Sequence, residues 1–333
     1  TACGSFHSQQ RLFRGEVLSL TQEKRKGQRF SYLFEPPKGG MGDKMDNWLM
    51  VAWLLAACVL ILDTIILYIR YSPKRKRALN IGRSMTIGGR EVQEDQTGVV
   101  ETKAGLMAVL ADGAGKAYGG RIASRIAVDT CTEIFEDYNA FNNPQYFFRK
   151  AFHCANKEIL KALGDDSRGA ASLGCVMIRA GFLYYAVVGN VKICVYREGS
   201  LVPVSTGHTI AVLAEQRFHE GIISREDALQ LLENNRLYNY LGQDGFKDIE
   251  LFDAPVRMKQ NDIVVLMSDG VYDLLGTREI EAVLAETVDC QQKAYEIIEL
   301  VNKNPKEDKD NASIVLLEIG NEVKAYEKAE FRI

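Results

Sequence analysis

Leu106-Met107-Ala108-Val109-Leu110-Ala111-Asp112-Gly113-Ala114-Gly115-Lys116-Ala117-Tyr118-Gly119-Gly120 decides how the rest of the chain is read. An apolar run of strand length stops at Asp112-Gly113, a glycine-rich loop follows, and a helical pattern starts at Arg121. Such a run delivers one carboxylate to the end of a strand, and the glycines let other backbone come close to it. Asp-Gly is also an ordinary turn signal, so the stretch gains meaning only from its repetition elsewhere.

Outward from it, residues 96–100 and 105–110 read as a hairpin, and Ile122, Ile126, Thr130, Ile134 and Tyr138 share one helical face. A second helical pattern covers 145–163. Strands are expected at 173–178, 182–188 and 192–196, with Glu198-Gly199 turning the chain into 201–204. Ser224-Arg225-Glu226-Asp227 has the form of a capping box opening a short helix to Glu233. An apolar strand at 263–267, helical patterns at 277–286 and 291–302, and a last strand at 313–319 complete a block from Met85 to Gly320. Tandem strands interrupted by a helical pair imply an α+β fold with helices over the outer faces of a β-sandwich.

The 333 residues are 47% hydrophobic and 26% charged, enough for a sizeable core. A net charge of -3 gives no drive towards nucleic acid. The seven cysteines are scattered without a C-x-x-C pair, which reads as free thiols rather than a zinc site or disulfide framework.

The N-terminal part has a different character. Residues 1–47 show no period, and little order is expected there. The chain opens on Thr1, and Met41 or Met45 is an alternative start. From Trp48 to Ile69 it reads WLMVAWLLAACVLILDTIILYI, about the 20 residues that cross a bilayer, with Asp63 its one charge. Trp48, Trp53 and Tyr68 suit the interfaces. Seven basic residues and no acidic one lie between Arg70 and Arg90. This predicts a transmembrane helix over 48–69, a basic juxtamembrane linker over 70–84, and a cell-membrane protein whose C-terminal part is cytoplasmic. Residues 85–320 form the folded domain in this reading, and 321–333 a tail.

Four acidic positions share the context of the opening stretch: Glu94-Asp95 before a strand, Asp112-Gly113 after one, Asp269-Gly270 after 263–268, and Asp310-Asn311 before the last. In a sandwich such ends can converge at one edge. Carboxylates brought together repel unless a cation neutralises them, and an all-oxygen set selects magnesium or manganese. Two such ions can clamp a phosphoryl group. Arg90, four residues before Glu94, could supply a forked contact to phosphate oxygens.

On these residues the chain resembles the metal-dependent protein phosphatases of type 2C, most nearly the bacterial branch, over roughly residues 83–320. The ordered motifs are Arg90-x-x-x-Glu94-Asp95, Asp112-Gly113-x-Gly115, Ala171-Ser172-Leu173, Val188-Gly189-Asn190, Ser268-Asp269-Gly270 and Asp310-Asn311. Residues 209–242 look like the family's flap. The resemblance implies a four-layer αββα fold, with a central antiparallel β-sandwich flanked by helices, that dephosphorylates phosphoserine and phosphothreonine in proteins that are substrates of a Ser/Thr kinase. It implies two Mn2+ or Mg2+ ions held by Glu94, Asp112, Gly113 through its carbonyl, Asp269 and Asp310. In that scheme Asp112 bridges the ions, Asp95 orients metal-bound water, and Arg90 holds the substrate phosphate. The bridging hydroxide attacks phosphorus in line.

Three departures stand out. Ala114 replaces a histidine that some relatives carry, leaving water to protonate the leaving group. Asn190 replaces an aspartate of a third ion site, so that ion is expected to be weak or absent. Val191-Lys192 replaces Ser-Arg and reads as structural. His208 reads as structural or flap-positioning, and His153 as packing. The rival readings are a pseudophosphatase that binds phosphoproteins, or a partner-switching phosphatase specific for one regulatory protein.

Overall fold

Every residue from Leu106 to Ala111 is buried, and alternate ones belong to different cores. That explains an apolar run with no polar face: this strand is covered on both sides. In the computed structural model the described residues are 42–71, 79–116, 118–137, 139–164, 168–246 and 248–320. The chain divides into two units, residues 1–72 and 73–333.

The first unit contains α1 (Gly42–Tyr71). Its described side chains run from Met50 to Thr64 and are exposed. Among the described residues no helix is long and apolar enough to cross a membrane. The crossing expected over 48–69 is therefore not borne out by them, and it reaches past the described side chains at both ends. Residues 1–41 and 321–333 lie outside the described residues.

In the second unit the order is β1 (Leu79–Thr86), β2 (Gln96–Thr102), β3 (Gly105–Gly115), α2 (Gly119–Asp137), α3 (Pro144–Leu163), β4 (Gly169–Arg179), β5 (Phe182–Val188), β6 (Lys192–Arg197), β7 (Ser200–Pro203), α4 (Ile210–His219) and α5 (Arg225–Leu231). There follow β8 (Glu250–Leu251), β9 (Val256–Arg257), β10 (Ile263–Met267), α6 (Asp269–Tyr272), α7 (Thr277–Leu284), α8 (Cys290–Lys303) and β11 (Ala312–Ile319). One sheet runs β1-β11-β10-β6-β7; the other runs β2-β3-β4-β5-β8, with β9 also on β5. All these pairings are antiparallel.

Three cores stack in order. Leu106, Ala108 and Leu110 meet Val264, Leu266, Val315 and Leu317 between the sheets. Met107, Val109 and Ala111 pack under Ala123, Ala127, Phe148 and Phe152 of α2 and α3. Val265, Ile314 and Leu316 pack under Ile280, Ile297 and Val301 of α7 and α8. This is the expected helix-flanked antiparallel sandwich. Each fully buried Leu, Ile or Val contributes about 1.5–3 kcal/mol, so the inter-sheet layer is a main source of stability.

Several boundaries differ from expectation. β1 takes Leu79–Thr86, residues read as mostly linker, and pairs along its length with β11. β3 continues through Asp112 to Gly115, because Asp112–Gly115 pair with Gly169–Ser172 of β4. The helix α4 was not anticipated; Thr209 caps it, accepting from the Val212 N–H at 3.3 Å. Cys131, Cys154, Cys175, Cys194 and Cys290 are free thiols, buried or partly so, and Cys58 is free and exposed.

Candidate functional site

The ends of β3, β10 and β11 and the loop before β2 supply the acidic side chains singled out in the sequence. Asp95 is buried and its Oδ2 accepts from Ser268 Oγ at 2.9 Å, which ties the start of β2 to the end of β10. Ser268 Oγ in turn accepts from the Ser313 N–H at 2.9 Å. Asp269 opens α6 immediately after Ser268. The Glu94 carboxyl lies against the first turn of α2, where a Cβ on Gly120 would stand 2.6 Å from Glu94 Oε1.

These carboxyl groups raise one another's pKa values. Burial pushes the Asp112 carboxyl well above the usual range, and the charges of Asp269, Asp95 and Asp310 push it further. Asp95 is raised to about 7, again by burial first, with Asp269 and Asp310 adding and the hydroxyls of Ser313 and Ser268 opposing. Asp269 is raised by burial and by Asp310 and Asp273. Glu94 is raised by burial, while the Arg121 N–H pulls it back. Carboxylates placed this way favour their neutral forms unless a cation joins them.

Gly113 is required by close approach. A Cβ there would stand 2.3 Å from the Gly120 carbonyl oxygen and 2.6 Å from that of Glu94. Both neighbours are backbone, so neither can rotate away.

Arg90 and Asp310 are paired with each other. Arg90 Nε donates to Asp310 Oδ1 at 3.0 Å and Nη2 to Oδ2 at 2.9 Å. Among the described residues no three His, Cys, Asp or Glu side chains stand ready as ligands of one cation. Asp310, turned to Arg90, is the expected ligand most clearly engaged elsewhere. The donor chemistry nonetheless fits a divalent cation: Asp95 is buried, Glu94, Asp112 and Asp269 are half-buried, and the set is mutually repelling and all-oxygen.

Other roles were not visible in the sequence. Asn311 accepts the Glu94 N–H at 2.7 Å through Oδ1 and donates from Nδ2 to the Ile87 carbonyl at 2.9 Å. One amide therefore fixes both ends of the segment carrying Arg90 and Glu94. Asn190 Nδ2 donates to Asp269 Oδ2 at 2.9 Å. Neither contact has a local sequence signal, since the partners lie 217 and 79 residues apart in the chain.

His208, His153 and the Val191-Lys192 pair have structural surroundings. His208 is buried; its Nδ1 accepts the Gly189 N–H at 3.3 Å and its own N–H donates to the Gly189 carbonyl at 2.7 Å. Its ring meets Tyr238 edge-on at 5.4 Å. His153 packs edge-on against Phe246 at 5.2 Å. Val191 is buried between the sheets, and Lys192 Nζ lies 3.5 Å from the Tyr272 ring centroid. Residues 209–242 leave the sheets and return to them, with Leu241 exchanging both backbone hydrogen bonds with Ala171 at 2.9 and 3.0 Å. Beside the Ala114–Lys116 turn opens a groove of about 910 Å³, bordered by Lys116, Arg168, Tyr240 and Asp244.

A family model described as "Protein phosphatase 2C" matches residues 81–303. A serine/threonine phosphatase stp of Listeria monocytogenes is 26% identical over 237 residues, covering 69% of this chain and 91% of that protein. A Listeria welshimeri protein of the same name is 25% identical over the same shares. Among solved structures, a serine/threonine phosphatase of S. agalactiae superposes with a TM-score of 0.63 at 23% identity, covering 72% of this chain and 99% of that one. The catalytic domain of the phosphatase PstP, solved in complex with two manganese ions, superposes with a TM-score of 0.58 at 20% identity, over 73% and 99%.

Proposed function

Because the chain belongs to the protein phosphatase 2C family and is a protein serine/threonine phosphatase, we propose that it works through two divalent cations, Mn2+ or Mg2+, held by Glu94, Asp112, the Gly113 carbonyl, Asp269 and Asp310. The observation that carries this reading is the set of mutually repelling carboxylates around the half-buried Asp112. When bound, such ions supply positive charge against the carboxylates and the phosphoryl oxygens and acidify water at neutral pH.

The chain's own residues do the rest. Arg90 presents a two-nitrogen fork that matches two phosphate oxygens as well as it matches Asp310, and so orients the phosphoryl group. Asp95, tied to Ser268, keeps the loop before β2, which carries Glu94, against the end of β10. Ala114 offers no proton, and the leaving alkoxide takes one from water. The groove beside Lys116 and Arg168 suits an extended phosphoprotein segment. Asn190 spends its amide on Asp269, which supports a weak or absent third ion.

The chain also anchors to a lipid bilayer in this proposal, as a single-pass cell-membrane protein with the phosphatase domain cytoplasmic. Support comes from the 48–69 stretch, the basic run after it, and the exposure of Trp53, Leu54, Leu60 and Leu62 on α1. Phosphate release from phosphoserine and phosphothreonine peptides, measured with Mn2+, with Mg2+ and with excess chelator, tests the chemistry. Activity that persists in chelator overturns the two-cation reading. Carbonate-resistant membrane fractionation of the full chain tests the anchor; full release into the supernatant overturns it.

A further inference from the structure

In sequence, Asn190 keeps an oxygen ligand where relatives carry an aspartate but loses its charge. Its surroundings give it a different task. Ser172 on β4 and Gly189-Asn190 just after β5 lie side by side, because Leu173 pairs with Val188 in the register of those strands. Gly189 has φ +86°, and a Cβ there would stand 2.2 Å from Ser172 Oγ. The glycine therefore lets the Asn190 side chain and the serine hydroxyl meet.

Ser172 Oγ donates to Asn190 Oδ1 at 2.6 Å, and the Asn190 N–H donates back to Ser172 Oγ at 3.2 Å. A hydroxyl has one proton, and here it is committed to the amide oxygen. That fixes which way the amide faces: Oδ1 towards Ser172, Nδ2 towards Asp269, where it donates to Oδ2 at 2.9 Å. The Asn190 carbonyl is held too, by Tyr272 OH at 2.9 Å, from the short helix that Asp269 itself opens. Asn190 thus binds α6 through both its backbone and its side chain. A carboxylate at this position would face Asp269 with like charge and would need a cation between them. An amide needs none.

We propose that Asn190, oriented by Ser172, is a positioning residue that holds the Asp269 carboxylate in one arrangement before a divalent cation arrives. This rests on the two-cation reading above. A ligand fixed in advance binds more tightly because less freedom is lost on binding, and hydrogen-bonding partners of metal ligands are typically worth about 10–100-fold in metal affinity.

Calorimetric titration of Mn2+ into the full chain in mild detergent, beside melting in chelator, tests it. Asn190→Ala is expected to weaken Mn2+ binding by about 10–100-fold while the metal-free melting temperature moves little. Ser172→Ala, which frees the amide to turn, is expected to weaken it in the same direction by less. Asn190→Asp, nearly the same shape, is expected to melt earlier in chelator and to recover on addition of Mn2+. Unchanged Mn2+ affinity in Asn190→Ala, beside normal binding by the wild type, overturns this inference and leaves the two-cation reading standing. So does a metal-free melting temperature in Asn190→Asp equal to that of the wild type. Absence of Mn2+ binding by the wild type overturns the two-cation reading and this inference with it.

Discussion

Arg90 grips Asp310 through two parallel hydrogen bonds, at 3.0 and 2.9 Å, while 47% and 51% of the two side chains remain in solvent. The residue suited to phosphate and the residue suited to a cation therefore occupy each other. In the proposed mechanism phosphate would compete with Asp310 for the guanidinium, and a cation with Arg90 for the carboxylate.

Arg90→Ala tests that exchange. An exposed pair contributes about 0–1 kcal/mol, so the melting temperature is expected to change by only a few degrees. The KM for a phosphopeptide is expected to rise by about tenfold or more, since a forked charge-assisted contact is lost. Mn2+ affinity should stay equal or increase, because Asp310 is released. Steady-state kinetics beside calorimetry checks the split; weaker Mn2+ binding in this variant contradicts it.

Asp112→Asn addresses the centre of the cluster. Burial and three neighbouring carboxylates favour the neutral form of Asp112 in the metal-free protein. The amide substitution is thus expected to leave the melting temperature in chelator equal to or above that of the wild type. The rise that Mn2+ produces in the wild type should disappear, and phosphatase activity should fall by roughly 100-fold or more. Thermal melts with and without Mn2+ give the comparison.

His208 makes the flap region sensitive to acid. Burial pushes its pKa below 6.5, against the pull of Glu250 and Asp248, and its neutral Nδ1 accepts the Gly189 N–H. A group with a depressed folded pKa binds fewer protons when folded. Its stabilising contribution is complete above about pH 6.5 and is lost as the pH falls towards the folded value. His208→Asn keeps an acceptor but does not titrate. The stability difference between wild type and variant is expected to be constant above pH 7 and to shift against the wild type below 6.5. Urea melts at pH 8, 7, 6 and 5 measure it.

Gly113→Ala should damage the centre without touching a charge. The added methyl meets two carbonyl oxygens at 2.3 and 2.6 Å, so the loop must move. Overpacking of this kind costs about 1–3 kcal/mol. Mn2+ binding should weaken alongside stability, which urea melts and calorimetry on one sample would show.

Much of the fold was legible because burial left marks in the sequence. Residues 182–188 and 263–267 were read with the bounds they have, since strands covered on both faces carry unbroken apolar runs. β1 was missed because LNIGRSMT has a weak pattern, and its partner β11 lies more than 200 residues away. Asp112 was found, but the strand's continuation to Gly115 was not, because glycine and alanine give no apolar signal and pairing with Gly169–Ser172 maintains the strand. The acidic residues stood out by their shared place at strand ends. Ser172, Asn190 and Asn311 stood in the motifs, but their contacts join residues far apart in the chain, and spacing is silent about those.

The amide of Asn311 holds the segment bearing Arg90 and Glu94 from the base of β11, and β11 is the strand that lies between β1 and β10. A growing polypeptide therefore has β1 and β10 in hand long before the piece that joins them. Until residue 319 has been added, β1 and β10 lack the strand that bonds to both, and the Asn311 clamp on the segment bearing Arg90 and Glu94 cannot form.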